Sequence, residues 1–209
     1  MTSSEIEEVV LLDAQDRPVG RAPKSSVHGA DTARHLAFSC HVFNEHGHLL
    51  VTRRALTKQA WPGVWTNSFC GHPAPAETLV HAIRRRGEFE LGLELTDIDP
   101  VLPFFHYRAT DASGVVENEL CPVYTARTSS TPVPHPGEVM ECWWVDPADL
   151  ADAIRTAPWA FSPWLVLQAH LLPFLGGTLD RAQGGARMGA PGSDRDEGGA
   201  REEHGALAS

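Results

Sequence analysis

One long stretch of helical periodicity sits in a chain whose other apolar residues fall in short runs between turn residues. That contrast limits the fold more than any other feature. From Glu77 to Leu91, the residues Leu79, Ala82, Ile83 and Phe89 recur at helical spacing, and Gly92 follows as a stop. Val9 to Leu12 reads as a short strand ended by the turn residues Asp13 to Pro18. Residues 37–43 turn through Asn44-Glu45-His46-Gly47 into 48–53, a hairpin, and a tight turn at Pro62-Gly63 opens an extended stretch over 66–69. Residues 104–109 and 115–127 read as two strands about Asp111-Ala112-Ser113-Gly114, and 138–145 as another. Asp146 with Pro147, and Ser162 with Pro163, open shorter helices over 147–155 and 161–172. Strands mixed with a few helices predict an α+β fold, a mixed β-sheet sandwich with flanking helices, whose strand order is not legible.

The composition changes at the end of this pattern. Residues 176–209 hold nine of the chain's 18 glycines and no aromatic residue. Such a segment cannot bury enough apolar area to offset its ordering entropy, so a low-complexity, disordered C-terminal tail is expected after one domain over 1–175. No run approaches the roughly 18 apolar residues of a membrane span. The acidic N-terminus lacks the features of a signal peptide, so a cytoplasmic location is expected, with Cys40, Cys70, Cys121 and Cys142 reduced. A formal charge of −10 argues against nucleic acid. A small anionic ligand would need a local cluster of cations or a metal.

Both are on offer. Glu117 and Glu119 stand at i and i+2 of a predicted strand and so share a face, where their charges repel unless a cation or a shared proton relieves them. The plain alternative is a solvent-facing acidic edge. Cys70 and His72 repeat the same spacing, and His28 and His35 flank the start of the first long strand. If His28, His35, His72, Glu117 and Glu119 meet, their nitrogen and oxygen donors suit Zn, Mn or Mg. Arg53, Arg54 and Lys58, beside the Cys70 loop in an acidic chain, read as a phosphate clamp rather than a solvated patch.

Gly71, Glu77, Arg85, Glu90, Gly92 and Leu93 fit part of the Nudix signature, in which helix carboxylates hold Mg²⁺ on a diphosphate. Arg86 and Phe89 stand where two of its three helix glutamates are expected. One surviving carboxylate can hold Mg²⁺ that already carries a diphosphate, but it is poorly equipped to activate a hydrolytic water.

The runs HLAFSCHVFN, LLVTRRALTKQAWPGVWTNSFCGHP, YRATDASGVVENELCPVY and RTAPWAFSPW closely resemble the type 1 isopentenyl-diphosphate delta-isomerases of the Nudix superfamily, over about Lys24 to His170. The resemblance implies isomerisation of isopentenyl to dimethylallyl diphosphate by a monomer, with neither nucleic-acid nor membrane partner. It maps a five-ligand metal site, for Mn²⁺, Zn²⁺ or Mg²⁺, onto His28, His35, His72, Glu117 and Glu119. It maps a Mg²⁺ bound with the substrate diphosphate onto Glu90 and a carbonyl near Cys70, and the diphosphate-binding cations onto Lys24, Arg54, Lys58 and Arg86. Cys70 and Glu119 become the proton-transfer groups, and Tyr107 and Trp164 the aromatic residues of the pocket. A nearby cation is expected to lower the Cys70 pKa, and the indole face of Trp164 to stabilise a carbocation. Trp61, Trp65, Trp143, Trp144 and Trp159 are expected in the core. The chain departs from the family's pattern at Phe69 and Gly87, both expected to tolerate change. Two rivals remain: a Nudix hydrolase of a nucleoside diphosphate derivative, which Arg86 and Phe89 disfavour, and a non-enzymatic binding module, which would need neither acid nor thiol.

Overall fold

The computed structural model describes residues 7–178 and 185–187. Along the chain, β1 (Glu8–Leu12) and β2 (Pro18–Pro23) form a hairpin, followed by the one-turn α1 (Lys24–Val27), β3 (His35–Leu36), β4 (Phe38–Phe43) and β5 (Leu49–Arg54). Next come β6 (Trp65–Thr66), β7 (Phe69–Gly71) and the long helix α2 (Leu79–Leu91). The strands β8 (Thr96–Leu102), β9 (His106–Thr110), β10 (Val116–Leu120), β11 (Val123–Arg127) and β12 (Val139–Val145) precede α3 (Pro147–Thr156), α4 (Pro163–Ala169) and β13 (Gly185–Arg187). Among the described residues no helix is long and apolar enough to cross a membrane.

Two sheets result. The first runs β13-β9-β10-β3-β1-β2 and the second β12-β5-β4-β11-β8, with β6 on β5 and β7 on β4. The stretch 115–127, read as one strand, breaks at Cys121-Pro122, where proline has no N–H to give a ladder. There the chain passes from β10 in the first sheet to β11 in the second. Ala37 makes the same passage between β3 and β4, and the two crossings lie side by side, with Ala37 N–H on Leu120 O and Ser39 N–H on Pro122 O. β10 therefore pairs β3, and β11 pairs β4, in parallel.

The central strand β4 and the first four residues of β5 are buried on both faces, which is why residues 49–51 read as a continuous apolar run while Thr52 and the two arginines follow at its end. Phe38, Val42 and Leu50 pack with Ala82 and Ile83 of α2. Leu49 and Val51 pack on the other side with Leu150, Ile154 and Leu165 of α3 and α4. Helix α2 starts two residues later than its periodicity suggests, because the Thr78 hydroxyl caps it by accepting from His81 N–H. It ends where Gly92, at φ 64°, donates its N–H back to Glu88 O.

Several expectations need correction. β2, α1 and β8 were not legible; β2, Pro-Val-Gly-Arg-Ala-Pro, carries no apolar alternation and is almost wholly exposed. Trp143 and Trp159 are 62% and 83% exposed, not core residues. Phe69 and Gly87 are not independent tolerant positions. A Cβ on Gly87 would lie 3.3 Å from Phe69 Cζ and 2.8 Å from Leu95 Cδ1, so the ring of Phe69 reaches into space that the glycine leaves. Within the expected tail, Gly185–Arg187 pairs in parallel with β9, while 179–184 and 188–209 lie outside the described residues. All four cysteines are free.

Candidate active site

Strand register builds the centre of the site. His35 of β3 lies opposite Glu119 of β10, and Glu119 lies opposite Tyr107 of β9, so three functional side chains stand in one row. Glu117 shares the face of Glu119, and both are buried rather than solvent-facing. His72 enters as the chain leaves β7, and His28 as it leaves α1.

His28 Nε2 is 2.9 Å from Glu117 Oε2, while His72 Nε2 and His35 Nε2 are 3.1 and 3.4 Å from Glu119 Oε1. One donor atom from each of His28, His35, His72 and Glu119 lies within 4.8 Å of the others. His28 Nε2, His35 Nε2, His72 Nδ1 and Glu117 Oε2 are buried without a well-formed hydrogen bond. Unpaired buried polar atoms are costly, and a divalent cation would satisfy His28 Nε2, His35 Nε2 and Glu117 Oε2. The residues fit a metal of the Zn, Mn or Mg class.

The electrostatics have the same cause. Burial pushes Glu117 up, helped by the neighbouring Glu119 charge. Burial pushes Glu119 up as well, but the hydrogen bonds and charges of His35 and His72 outweigh it and hold Glu119 well below the carboxylate range. His72 is pushed down to about 4 by burial, against the pull of Glu119.

Beside this cluster lies a cavity of about 490 Å³ lined by Cys70, His72, Tyr107, Glu119 and Trp164, and also by Lys24, Arg54, Lys58 and Arg86. The Tyr107 hydroxyl donates to Glu119 Oε2 at 3.0 Å. Trp164 is fixed by its indole N–H, which is shared between Thr66 Oγ1 at 2.9 Å and Asn67 Oδ1 at 3.0 Å. Cys70 Sγ lies 3.3 Å from both Ser39 Oγ and Asn67 Oδ1. The expected lowering of its pKa does not occur. Burial pushes the thiol up to about 11, and the hydrogen bonds of Ser39 and Asn67 and the charge of Arg54 recover only part of that shift.

Three of the four clamp cations are held by carboxylates. Lys24 pairs with Glu7 at 3.0 Å, Lys58 with Glu138, and Arg86 with Glu90 at 2.5 Å and Glu138 at 3.3 Å. Arg54 instead donates to the carbonyls of Ala60 and Trp61 and sits 5.2 Å over the Trp164 ring. Two expectations are not met as stated. Glu90 does not line the cavity but stands behind Arg86, and Arg53 turns away to Gly63 O and Glu141. Glu7, Ser39, Asn67 and Glu138 were missed. Isolated acids carry no signal of pairing in a sequence, and Ser39 and Asn67 gain meaning only from what lies across from them.

The NUDIX domain family matches residues 33–165. The chain is 75% identical over 178 residues to a protein of Agromyces mediolanus named isopentenyl-diphosphate Delta-isomerase, covering 85% of this chain and 86% of that one. Proteins of the same name are similar from Clavibacter michiganensis, 62% identical over 78% of this chain and 84% of that one, and from Klebsiella pneumoniae, 57% identical over 78% and 89%. A crystal structure from Deinococcus radiodurans shares the fold, with a TM-score of 0.59 at 23% identity over 78% of this chain and 96% of that one.

Proposed function

This chain belongs to the Nudix family and, within it, to the isopentenyl-diphosphate Delta-isomerases, and we propose that Cys70 and the Tyr107–Glu119 pair carry out its proton transfers. The reaction converts isopentenyl diphosphate to dimethylallyl diphosphate. Moving an unactivated double bond by one carbon requires a proton on the terminal alkene carbon, a tertiary cation, and loss of a proton from the carbon on the other side of the cation. The observation that carries the assignment is that a hydrogen-bonded hydroxyl–carboxylate pair and a thiol open onto one cavity with a fixed indole.

In the forward direction the Tyr107–Glu119 pair gives up the proton, and the Cys70 thiolate takes one. At rest Cys70 keeps its proton and Glu119 is ionised. That is the proton distribution which the forward reaction leaves and the reverse reaction starts from, so before each forward turnover the thiol gives its proton to solvent and the carboxylate takes one up. The Trp164 face supplies electron density to the cation without a nucleophile that would trap it, worth ~2 kcal/mol when desolvated.

His28, His35, His72, Glu117 and Glu119 would hold one divalent cation, Mn²⁺, Zn²⁺ or Mg²⁺, whose charge would keep the two carboxylates together. Lys24, Arg54, Lys58 and Arg86 line the cavity and would supply charge to the phosphate oxygens, and Glu90 would reach Mg²⁺ arriving with the diphosphate on release from Arg86. A helix carboxylate set reduced to Glu90, itself paired with Arg86, supports gripping a diphosphate over hydrolysing it.

Proton NMR of isopentenyl diphosphate with the protein and Mg²⁺ in D₂O, beside a free-phosphate assay, tests the reading. Deuterated dimethylallyl diphosphate without phosphate release is expected. Phosphate release or unlabelled product would overturn the proton-transfer route.

A further inference from the structure

Behind Cys70 runs a line of buried polar groups that neither the metal cluster nor the diphosphate clamp uses. Ser39 and His41 project from β4 toward α4, and Gln168 reaches them from α4; all three are fully buried. His41 Nε2 lies 2.9 Å from Gln168 Oε1, and Gln168 Nε2 lies 2.9 Å from Ser39 Oγ. Ser39 Oγ in turn lies 3.3 Å from Cys70 Sγ and 3.4 Å from Cys121 Sγ.

The donor and acceptor inventory sets the direction of this line. An amide oxygen only accepts, so His41 donates through Nε2–H. An amide NH₂ only donates, so the Ser39 oxygen accepts. The hydroxyl keeps one proton, and its remaining partners are the two sulfurs. The first two bonds therefore point their donors toward Ser39, whose one proton is left for a sulfur, and bonds aligned head to tail polarise one another.

On its other side Cys70 donates to Asn67 Oδ1, the oxygen that also receives the Trp164 indole N–H. One donor and one acceptor thus grip the sulfur. Ser39 and Cys70 are opposed residues in the β4–β7 pairing, so backbone register brings the hydroxyl to the sulfur. Stability alone does not call for this arrangement, since replacing both partners of a buried hydrogen bond by apolar groups of the same shape can be nearly neutral.

We propose that Ser39 is a positioning residue for the isomerisation: its hydroxyl, oriented by Gln168 and His41, donates to Cys70 Sγ and holds the sulfur in the rotamer that faces the cavity. The inference rests on the reading of Cys70 as a proton-transfer group. A mispositioned sulfur leaves the diphosphate clamp intact, so the effect falls on the chemical step and not on substrate binding.

The test is steady-state kinetics with isopentenyl diphosphate and Mg²⁺ for Ser39→Ala, Gln168→Leu, the double variant and Cys70→Ala, with circular dichroism to verify folding. Ser39→Ala is expected to lower kcat about tenfold, near the effect of one hydrogen bond of ordinary strength, with KM within about twofold of wild type. The double variant should be no slower than Ser39→Ala, because both lesions break one chain. If Ser39→Ala fails to fold, a kcat loss at constant KM in Gln168→Leu carries the same prediction. Wild-type kcat in folded Ser39→Ala, or a loss confined to KM, overturns the proposal. An active Cys70→Ala would instead overturn the underlying reading of the thiol, so the two failures are told apart.

Discussion

His41 sits fully buried on β4 with Gln168 on one ring nitrogen and no partner on the other. Burial pushes its pKa down to about 4, against the hydrogen bond from the ring to Gln168. An unfolded histidine binds its proton near pH ~6.5. Between those values the unfolded chain carries more protons than the folded one, so stability is present above ~6.5 and is lost as pH falls toward 4. Urea unfolding at pH 7 and at pH 4.5 should show that His41→Phe shrinks the acid loss by about 2 kcal/mol. An unchanged acid loss would mean that His41 titrates normally. Glu119→Gln should remove turnover and release divalent metal on gel filtration; a variant that retains wild-type metal content would place Glu119 outside the cluster. At this scale the sequence reveals parity well. Period-two alternation puts Glu117 and Glu119 on one face, and the same rule would have separated Arg54, which lines the cavity, from Arg53, which turns away. The direction of the Cys70 pKa was not legible, because burial depends on what packs over the β7 loop.

Helix α2 shows how far an element can be read from its own residues. Its apolar spacing, its Thr78 cap and its Gly92 stop are local chemistry, and the helix forms accordingly. Gly87 is the position where the local rule fails. Helix propensity favours alanine over glycine by about 1 kcal/mol, yet the added Cβ would meet Leu95 at 2.8 Å and Phe69 at 3.3 Å. Overpacking of a tight core typically costs about 1–3 kcal/mol, so Gly87→Ala should be destabilising by about 1 kcal/mol in equilibrium urea unfolding. A stabilised variant would show that Leu95 gives way freely. The break at Cys121-Pro122 is a second case. Proline marks the interruption, but that the chain changes sheet there follows from the parallel crossing at Ala37, far away in sequence.

For the molecule as a whole, the metal cluster joins parts that are distant along the chain. His28 follows α1, His35 and Glu119 lie in the first sheet, and His72 follows β7 of the second. A cation held there ties both sheets together and binds only the folded chain. At about 100 times its Kd it should stabilise the fold by about 2.7 kcal/mol, or roughly 5–10 °C in Tm. Chelation should remove that increment from the metal-loaded protein, while His72→Ala should show little shift on chelation. An equal Tm with and without chelator in the wild type would argue that the cluster holds no ion.

By itself the sequence determined the α+β class, the α2 helix with its Gly92 stop, the shared face of Glu117 and Glu119, and, through its long motif runs, the family. These follow from local periodicity, capping and side-chain chemistry, which act over a few residues. Only the tertiary structure decided which residues meet. The row Tyr107–Glu119–His35 depends on register between β9, β10 and β3. The line from His41 to Cys70 depends on α4 packing over β4 and on β7 pairing with it. Arg86 is claimed by Glu90, four residues away on its own helix, and by Glu138, which only folding brings near. Register and packing come from the sum of many contacts distant in sequence, and no single stretch of the chain records them.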